Sequence, residues 1–299
     1  MMKILSEACG SLTAGYIIKN VQKAGHISVA TDMSEDCFGK HLADEFYSVP
    51  SAADKNSPEF LKKLVVDNNI EMIIPTLDDG LLNWALMKRE LSEKGISVAI
   101  SDANTLKVFL DKWETYLFFE KNGIPTPKTS LKQQYKLVKP RNGRGGSGIQ
   151  ITDEPVDMTG NISQELLSGT EVTIDVLCDI NGMPVYIVPR IRLGVKEGKA
   201  TGGQVIKNEK IEEYVKTICS SIQFIGPINI QCFIKENGDI SFTEINPRFG
   251  GGSVLGMAAT ENWIPLMIKM FAEKENIIPS ADIKYGLKMG RFYDEVFYF

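Results

Sequence analysis

The sequence predicts an α/β protein, with a doubly wound parallel sheet at the N-terminus followed by a second region built from two α+β parts. Two observations predict it. Over the first hundred residues, short apolar runs alternate with helical patterns, the spacing of a parallel sheet with helices on its faces. From residue 162 onward the pattern turns to longer β-segments, with helices near 209–221 and 263–271 to cover them. At 299 residues the chain can bury a large core and hold two or three structural units.

In the first region strands are expected over 3–5, 27–30, 72–75 and 98–100, with helices over 12–24, 59–68 and 81–94. Open parallel sheets take ligands beyond the carboxyl ends of their strands. Those ends here carry Cys9-Gly10-Ser11, Asp32 and Thr76-Leu77-Asp78-Asp79. The run Gly10 to Gly15 has neither the Lys-Ser/Thr of a P-loop nor a Gly-x-Gly-x-x-Gly pattern. It reads as a tight turn into a helix, whose N-terminus can still receive an anion.

The second region begins near Ser101-Asp102-Ala103. A helix over 112–122 stops at Gly123, and Pro125 and Pro127 then impose extended chain. A short strand over 137–140 runs into a glycine-rich loop. Longer strands follow over 171–178, 184–192, 200–206, 226–235 and 240–246. There is no internal repeat or low-complexity tract.

Composition narrows the function. With 43% hydrophobic and 24% charged residues the chain is an ordinary globular protein. A net charge of −5 argues against a nucleic-acid partner. No apolar stretch approaches the roughly 20 residues needed to span a bilayer. The first seven residues are too soon acidic for a signal peptide. Cys9, Cys37, Cys178, Cys219 and Cys232 are scattered and never form Cys-x-x-Cys, as expected of reduced thiols in a cytoplasmic protein. The only histidines are His26, in a Gly-His turn, and His41, in a polar loop, which disfavours a zinc site or a Ser-His-Asp triad.

Asn237-Gly238 between two β-runs is a strong hairpin signal and favours a two-residue loop. Counting outward, Phe233 faces Phe242, Gln231 faces Glu244 and Asn229 faces Asn246, all on one face because side chains alternate. Ile230, Cys232, Ile234, Thr243 and Ile245 fall on the other. One face therefore gathers oxygen donors next to Arg248, a set that hard cations such as magnesium prefer. A solvated polar face is the alternative. The following Phe249-Gly250-Gly251-Gly252-Ser253 suits close ligand approach.

Upstream, Lys139 precedes Arg141-Asn142-Gly143-Arg144-Gly145-Gly146-Ser147-Gly148, a flexible flap whose N–H groups can wrap phosphate oxygens while Lys139 supplies a point charge. A plain hairpin turn would use the same glycines. Lys112, at a helix start, has the simpler reading of a solvated charge. Residues 164–171 join two β-units, and an extended linker there can offer backbone groups to an adenine edge, with Glu171 accepting from ribose hydroxyls; alone it would pass for a turn. Arg190 and Arg192 alternate on one strand, ahead of the loop Gly198 to Gly203, and can clamp a substrate carboxylate or form a solvated strand edge.

Taken in order, these pieces resemble the ATP-grasp superfamily, particularly ligases similar to the carbamoyl-phosphate synthetase large subunit. The matching stretches are Asp111-Lys112, Gly123 to Pro127, Val138-Lys139-Pro140 with its loop, Gln164 to Glu171, Gln231 and Glu244-Ile245-Asn246-Pro247-Arg248. Asp78-Asp79 and Gly290 to Phe297 also look like that group. The resemblance spans nearly the whole chain. It implies a pre-ATP-grasp domain over 1–104, a small lid subdomain with its connecting helix over 105–168 and a catalytic subdomain over 169–299.

It also implies roles. Lys112 and Lys139 would bind ATP phosphates under Arg144, Gly145, Gly146 and Ser147. Gln164 and Leu167 would meet adenine through backbone groups, Glu165 would line that hinge and Glu171 would hold the ribose. Gln231, Glu244 and Asn246 would hold one or two Mg²⁺ ions, which Mn²⁺ can replace, and Arg248 would meet the transferred phosphoryl group. Arg190, Arg192, Gly251 and Ser253 are substrate candidates. The implied activity is a cytoplasmic ligase joining a carboxylate, as its acyl phosphate, to an amine. The resemblance leaves room for a homodimer. A phosphotransferase and a non-catalytic ATP-binding module are the alternatives. Two departures stand out. Gln231 replaces an acid common in the group, and residues 128–136 and 152–161 leave little room for lid helices.

Overall fold

The computed structural model describes residues 1–11, 14–143, 145–196, 199–292 and 294–298. Its elements run β1 (Lys3–Ser6), α1 (Gly15–Lys23), β2 (Ile27–Asp32), α2 (Phe38–Leu42), β3 (Glu45–Ser48), α3 (Ser57–Asp67), β4 (Met72–Ile74), a 3-10 turn (Asp78–Gly80), α4 (Leu81–Glu93) and β5 (Ser97–Val98). All four strand pairings of this sheet are parallel, in the order β3-β2-β1-β4-β5. The doubly wound prediction holds, but α2 and β3 were not anticipated. Both are short, and β3 is a half-exposed edge whose Glu-Phe-Tyr-Ser shows little apolar alternation. His41 consequently sits on α2 rather than in a loop. The strand expected over 98–100 is the two-residue β5.

Then come α5 (Ala103–Phe109), α6 (Lys112–Lys121), β6 (Thr129–Ser130), β7 (Leu137–Pro140), β8 (Gln150–Ile151) and β9 (Asn161–Gln164). The last four form an antiparallel sheet ordered β6-β9-β7-β8. Among the described residues, no helix lies between α6 and the end of this sheet.

The remaining elements are β10 (Thr170–Cys178), β11 (Pro184–Lys196), β12 (Lys199–Val205), α7 (Glu209–Ser221), β13 (Gly226–Ile234), β14 (Ile240–Asn246), α8 (Ser253–Ala259), α9 (Trp263–Phe271) and β15 (Lys288–Gly290). Their sheet is antiparallel, ordered β14-β13-β10-β11-β12-β15. One face buries Val172, Ile174, Val176, Ile230 and Ile245 against α5, α6 and α7 through Phe109, Phe119, Ile211 and Val215. The other carries the polar row discussed below. Among the described residues, no helix is long and apolar enough to cross a membrane.

The β13–β14 hairpin corrects the predicted register near its turn. The loop is longer than two residues: Gly238 N donates to Lys235 O, Lys235 N donates to Asp239 O, and Gly238 takes φ +83°. Pairing therefore starts one residue out of step, with Ile234 opposite Ile240 and Cys232 opposite Phe242. A bulge between Gln231 and Cys232 then restores the count, so Gln231 faces Glu244 and Asn229 faces Asn246 as expected. Phe242 is the reason the bulge is favourable: it is fully buried against Phe119 and Tyr214, where burying a phenylalanine side chain contributes about 2–3 kcal/mol. Thr243, expected in the core, lines the cleft instead.

Candidate active site

The candidate site lies in a cleft of about 490 Å³ between the β6-β9-β7-β8 sheet, where the resemblance puts the lid, and the polar face of the large sheet. Strand pairing sets that face. Arg190, Thr173, Gln231 and Glu244 form one row across β11, β10, β13 and β14, and Asp175, Asn229 and Asn246 form the next.

From the lid side comes Lys139. β7 buries Val138 on one face and turns Lys139 toward the cleft, where it is 9% exposed. Its Nζ donates to Gln164 Oε1 at 2.8 Å, and Gln164 Nε2 donates to Thr129 Oγ1 at 2.9 Å. Among the described residues no carboxylate pairs with it. Burial brings its pKa down to about 8, with Lys112 adding to the fall and Glu244 opposing it. A buried ammonium held only by a neutral amide is a place prepared for an anion.

Lys112 arrives from the start of α6. Asp111 caps that helix, accepting from Trp113 N and Glu114 N, and also receives Arg141 Nε at 3.0 Å. Burial works to raise the Asp111 pKa, but Arg141 and the cap outweigh it and hold the carboxyl below its usual range. The clamp fixes Lys112 beside the glycine loop, with its Nζ donating to Gly143 O at 2.8 Å and lying 4.0 Å from Glu244 Oε1. Gly145 and Gly146, at φ +63° and +74°, line the cleft mouth, a conformation that suits glycine. Ser147 is exposed on the same loop, and Arg144 lies outside the described residues.

Gln164, Glu165 and Leu167 line the cleft where β9 leaves the lid. Glu165 is already engaged, its N–H donating to Lys128 O and its carboxylate accepting from Lys128 N. Gly169, at φ +124°, crosses β13 so closely that a Cβ would lie 2.2 Å from Ile234 O. A larger groove of about 810 Å³ on the outer side of the lid shares Glu165 and Leu167. It is lined by neither Lys112 nor Lys139 and by none of Gln231, Glu244 and Asn246, whereas Lys139 and all three of those donors line the smaller cleft.

The structure brings the arginines together but pairs them internally. Arg192 meets Glu171 at 3.1 Å. Arg190, 4% exposed, donates to Asp175 Oδ2 at 2.7 Å. The fully buried Asp175 also accepts from Asn229 Nδ2 and Ser253 Oγ, both at 2.7 Å. Asn229 and Ser253, expected at the metal face and the substrate, are therefore bound into this network. Ser253 Oγ accepts from Gly250 N, and Tyr16 OH donates to Gly250 O, so the glycine run is pinned over Arg190. Gly251 lines the cleft, and its carbonyl accepts from Arg291.

Arg248 donates to Asp78 through Nε at 2.6 Å and Nη2 at 2.5 Å. Burial acts against its charge, yet Asp78 raises its pKa above the usual guanidinium value. This pair joins the nucleotide-type cleft to a second one of about 700 Å³ at the carboxyl ends of β1, β2 and β4. Sequence reasoning missed Asp175, hidden in the apolar run of β10, and gave no role to Arg291 within the matching stretch Gly290 to Phe297, although its Nε is buried without a hydrogen-bond partner beside the 490 Å³ cleft. The alternation of β10 gave the signal for Asp175: it lies on the face opposite Val172, Ile174 and Val176.

Known proteins match this architecture. Residues 109–252 match the family described as ATP-grasp domain, and residues 4–99 match the PylC-like N-terminal domain. The chain is 28% identical to a carbamoyl-phosphate synthase of Methanobrevibacter smithii over 63% of its own length and 55% of that protein's, so it spans about half of that relative. It is 20% identical to the 3-methyl-D-ornithine–L-lysine ligase of Methanosarcina barkeri, covering 94% of this chain and 83% of that one. Among solved structures it resembles the biotin carboxylase domain of the Hydrogenobacter thermophilus 2-oxoglutarate carboxylase, in complex with MgADP and bicarbonate. The TM-score is 0.76 at 19% identity, covering 96% of this chain and 73% of that chain. It also resembles N5-carboxyaminoimidazole synthetase of Staphylococcus aureus with ADP, with a TM-score of 0.74 at 18% identity, over 97% of this chain and 82% of that one. The chain thus carries an ATP-grasp domain behind a PylC-like N-terminal domain.

Proposed function

We propose that the protein is an ATP-dependent ligase that activates a small carboxylate with Mg-ATP and joins it to an amine, releasing ADP and phosphate. The observation that supports this most is Lys139, a buried ammonium that no carboxylate among the described residues pairs with, in the same cleft as Glu244. In this reading Lys139 and Lys112 receive phosphate oxygens, and Gly145, Gly146 and Ser147 close over them. The backbone of Gln164 and Leu167 meets adenine beside Glu165, and Glu171 meets the ribose.

Gln231, Glu244 and Asn246 offer oxygen donors from adjacent strand positions, a set that fits a hard divalent cation sharing its shell with phosphates. Such a cation, when bound, neutralises charge on the phosphoryl group in transfer. With a single carboxylate in that set, one ion is favoured over two. Arg248, fixed by Asp78, stands where the two clefts meet and can contact the activated carboxyl group. The N-terminal cleft gives the amine its approach. Arg190 and Arg192 shape the floor through Asp175 and Glu171.

The test is incubation with Mg-ATP and panels of carboxylates and amines, following ADP, phosphate and product mass. Phosphate release that requires both substrates is expected. A phosphorylated acceptor with no free phosphate would show a phosphotransferase instead. Glu244→Gln is expected to abolish turnover in a folded protein, and wild-type activity in that variant refutes the site.

A further inference from the structure

Away from the nucleotide cleft, three metal-type donors converge at the carboxyl edge of the N-terminal sheet. Cys9 follows β1, Asp32 ends β2 and Cys37 caps α2, and a sulfur or carboxylate oxygen from each lies within 4.8 Å of the others. The two sulfurs are 3.5 Å apart. Two thiolates on one tetrahedral zinc, at about 2.3 Å each, lie about 3.8 Å apart, so the backbone already has the required span. The carboxylate is oriented from behind, its Oδ2 accepting from Gly10 N at 2.8 Å and its Oδ1 from Ser34 N at 3.0 Å, as ligating carboxylates are in metal sites.

The chain is built tightly around these groups. A Cβ on Gly10 would lie 3.0 Å from Asp32 Oδ2 and 3.1 Å from Cys37 Cβ, and one on Gly39 would lie 2.3 Å from Cys9 O. Ala8, next to Cys9, takes φ +52°, a strained conformation for a residue with a side chain. Cys9 is fully buried, Cys37 half-buried, and Asp32 lines the N-terminal cleft, which leaves a route to the cluster from that side.

We propose that Cys9, Asp32 and Cys37 form a zinc site with two thiolates, one carboxylate and a fourth position reached from the N-terminal cleft. Thiolate donors select a thiophilic ion, and the carboxylate favours zinc over cuprous copper. On binding, both thiols release their protons to solvent and the ion takes two sulfur ligands and one oxygen ligand. The site is independent of the ligase reading, and it would tie the turn after β1 to α2, at one wall of the N-terminal cleft.

The test uses the full chain, stripped with chelator under a phosphine reductant and titrated with Co²⁺ alone. One equivalent is expected to give cobalt–thiolate charge-transfer absorption, which Zn²⁺ then displaces, and Zn²⁺ is expected to raise the melting temperature. The magnesium-type donors of the nucleotide cleft contain no sulfur and cannot give that band. Cys37→Ser should lose it, and Asp32→Asn should weaken binding by about tenfold or more. The proposal is overturned if wild-type protein with both thiols reduced shows no thiolate band, or if the band survives in Cys37→Ser. It is equally overturned if the two sulfurs only cross-link on air oxidation without taking up metal.

Discussion

Replacing Lys139 by methionine should stabilise the free protein while removing nucleotide binding. Burial is the main reason that this ammonium titrates at about 8 rather than 10.5. That difference corresponds to roughly 3 kcal/mol of unfavourable charge burial. Methionine fills a similar volume without the charge, but leaves Gln164 Oε1 without its donor, a loss of about 1–3 kcal/mol. The net expectation is a gain of about 1 kcal/mol at pH 7.

The pH dependence gives the sharper check. Below about pH 8 the group is protonated in both folded and unfolded chains, and its penalty is fully present. Between 8 and 10.5 the unfolded chain keeps a proton that the folded one has released, so wild-type stability gains with rising pH. By pH 9.5 that gain is about 2 kcal/mol, which should leave the variant about 1 kcal/mol less stable than wild type. Urea unfolding at the two pH values measures both differences, and Mg-ADP should raise the midpoint only for wild type. A variant less stable than wild type by the same margin at both pH values would refute the reasoning.

Other substitutions probe separate parts of the architecture. Gly252→Ala places a methyl 2.5 Å from the Arg190 guanidinium, which Asp175 prevents from yielding, so a melt should show a loss of about 2 kcal/mol. Asp78→Asn leaves Arg248 an acceptor but no counter-charge. With both side chains 15% exposed the expected loss is about 2 kcal/mol, and turnover should fall while Mg-ADP affinity, measured by calorimetry, stays unchanged. Phe242→Ala should cost about 3–5 kcal/mol and Phe233→Ala about 1. Equal losses in denaturant would instead favour the two-residue loop, in which these rings face each other.

The hairpin shows how much of the site was legible. Period-two alternation counted from Asn237-Gly238 reached the right neighbours for Glu244 and Asn246, although two one-residue irregularities intervene and cancel. Neither has a local marker: the turn bulge depends on φ at Gly238, and the second on where Phe242 finds the core. Long apolar strands and helices such as α4, α7 and α9 were readable because burial repeats along them. The two-residue strands β6 and β8 were not, since each is held by pairing with another strand rather than by its own composition. Arg190 and Arg248 were recognisable as site residues, but their acids, Asp175 and Asp78, come from elements 15 and 170 positions away. Only the folded sheet orders them.

That pairing pattern bears on how the cleft would use its charges. Asp175 and Asp78 each face a paired arginine, so their charge is spent on architecture, and Glu171 is shared between Arg192 and its proposed ligand. Glu244 differs, because among the described residues its ion-pair partner is Lys112, 4.0 Å away on a long side chain that also donates to Gly143 O. A divalent cation at Glu244 would displace Lys112, and a phosphate chain would offer that lysine better acceptors than a carbonyl. Metal and nucleotide should therefore bind cooperatively, each removing the partner that competes with the other. Lys112→Met separates this from simple charge attraction. It should weaken nucleotide affinity while raising the affinity of the nucleotide-free protein for Mn²⁺, read by electron paramagnetic resonance. If Lys112→Met leaves Mn²⁺ affinity unchanged, the exchange of partners at Glu244 does not occur.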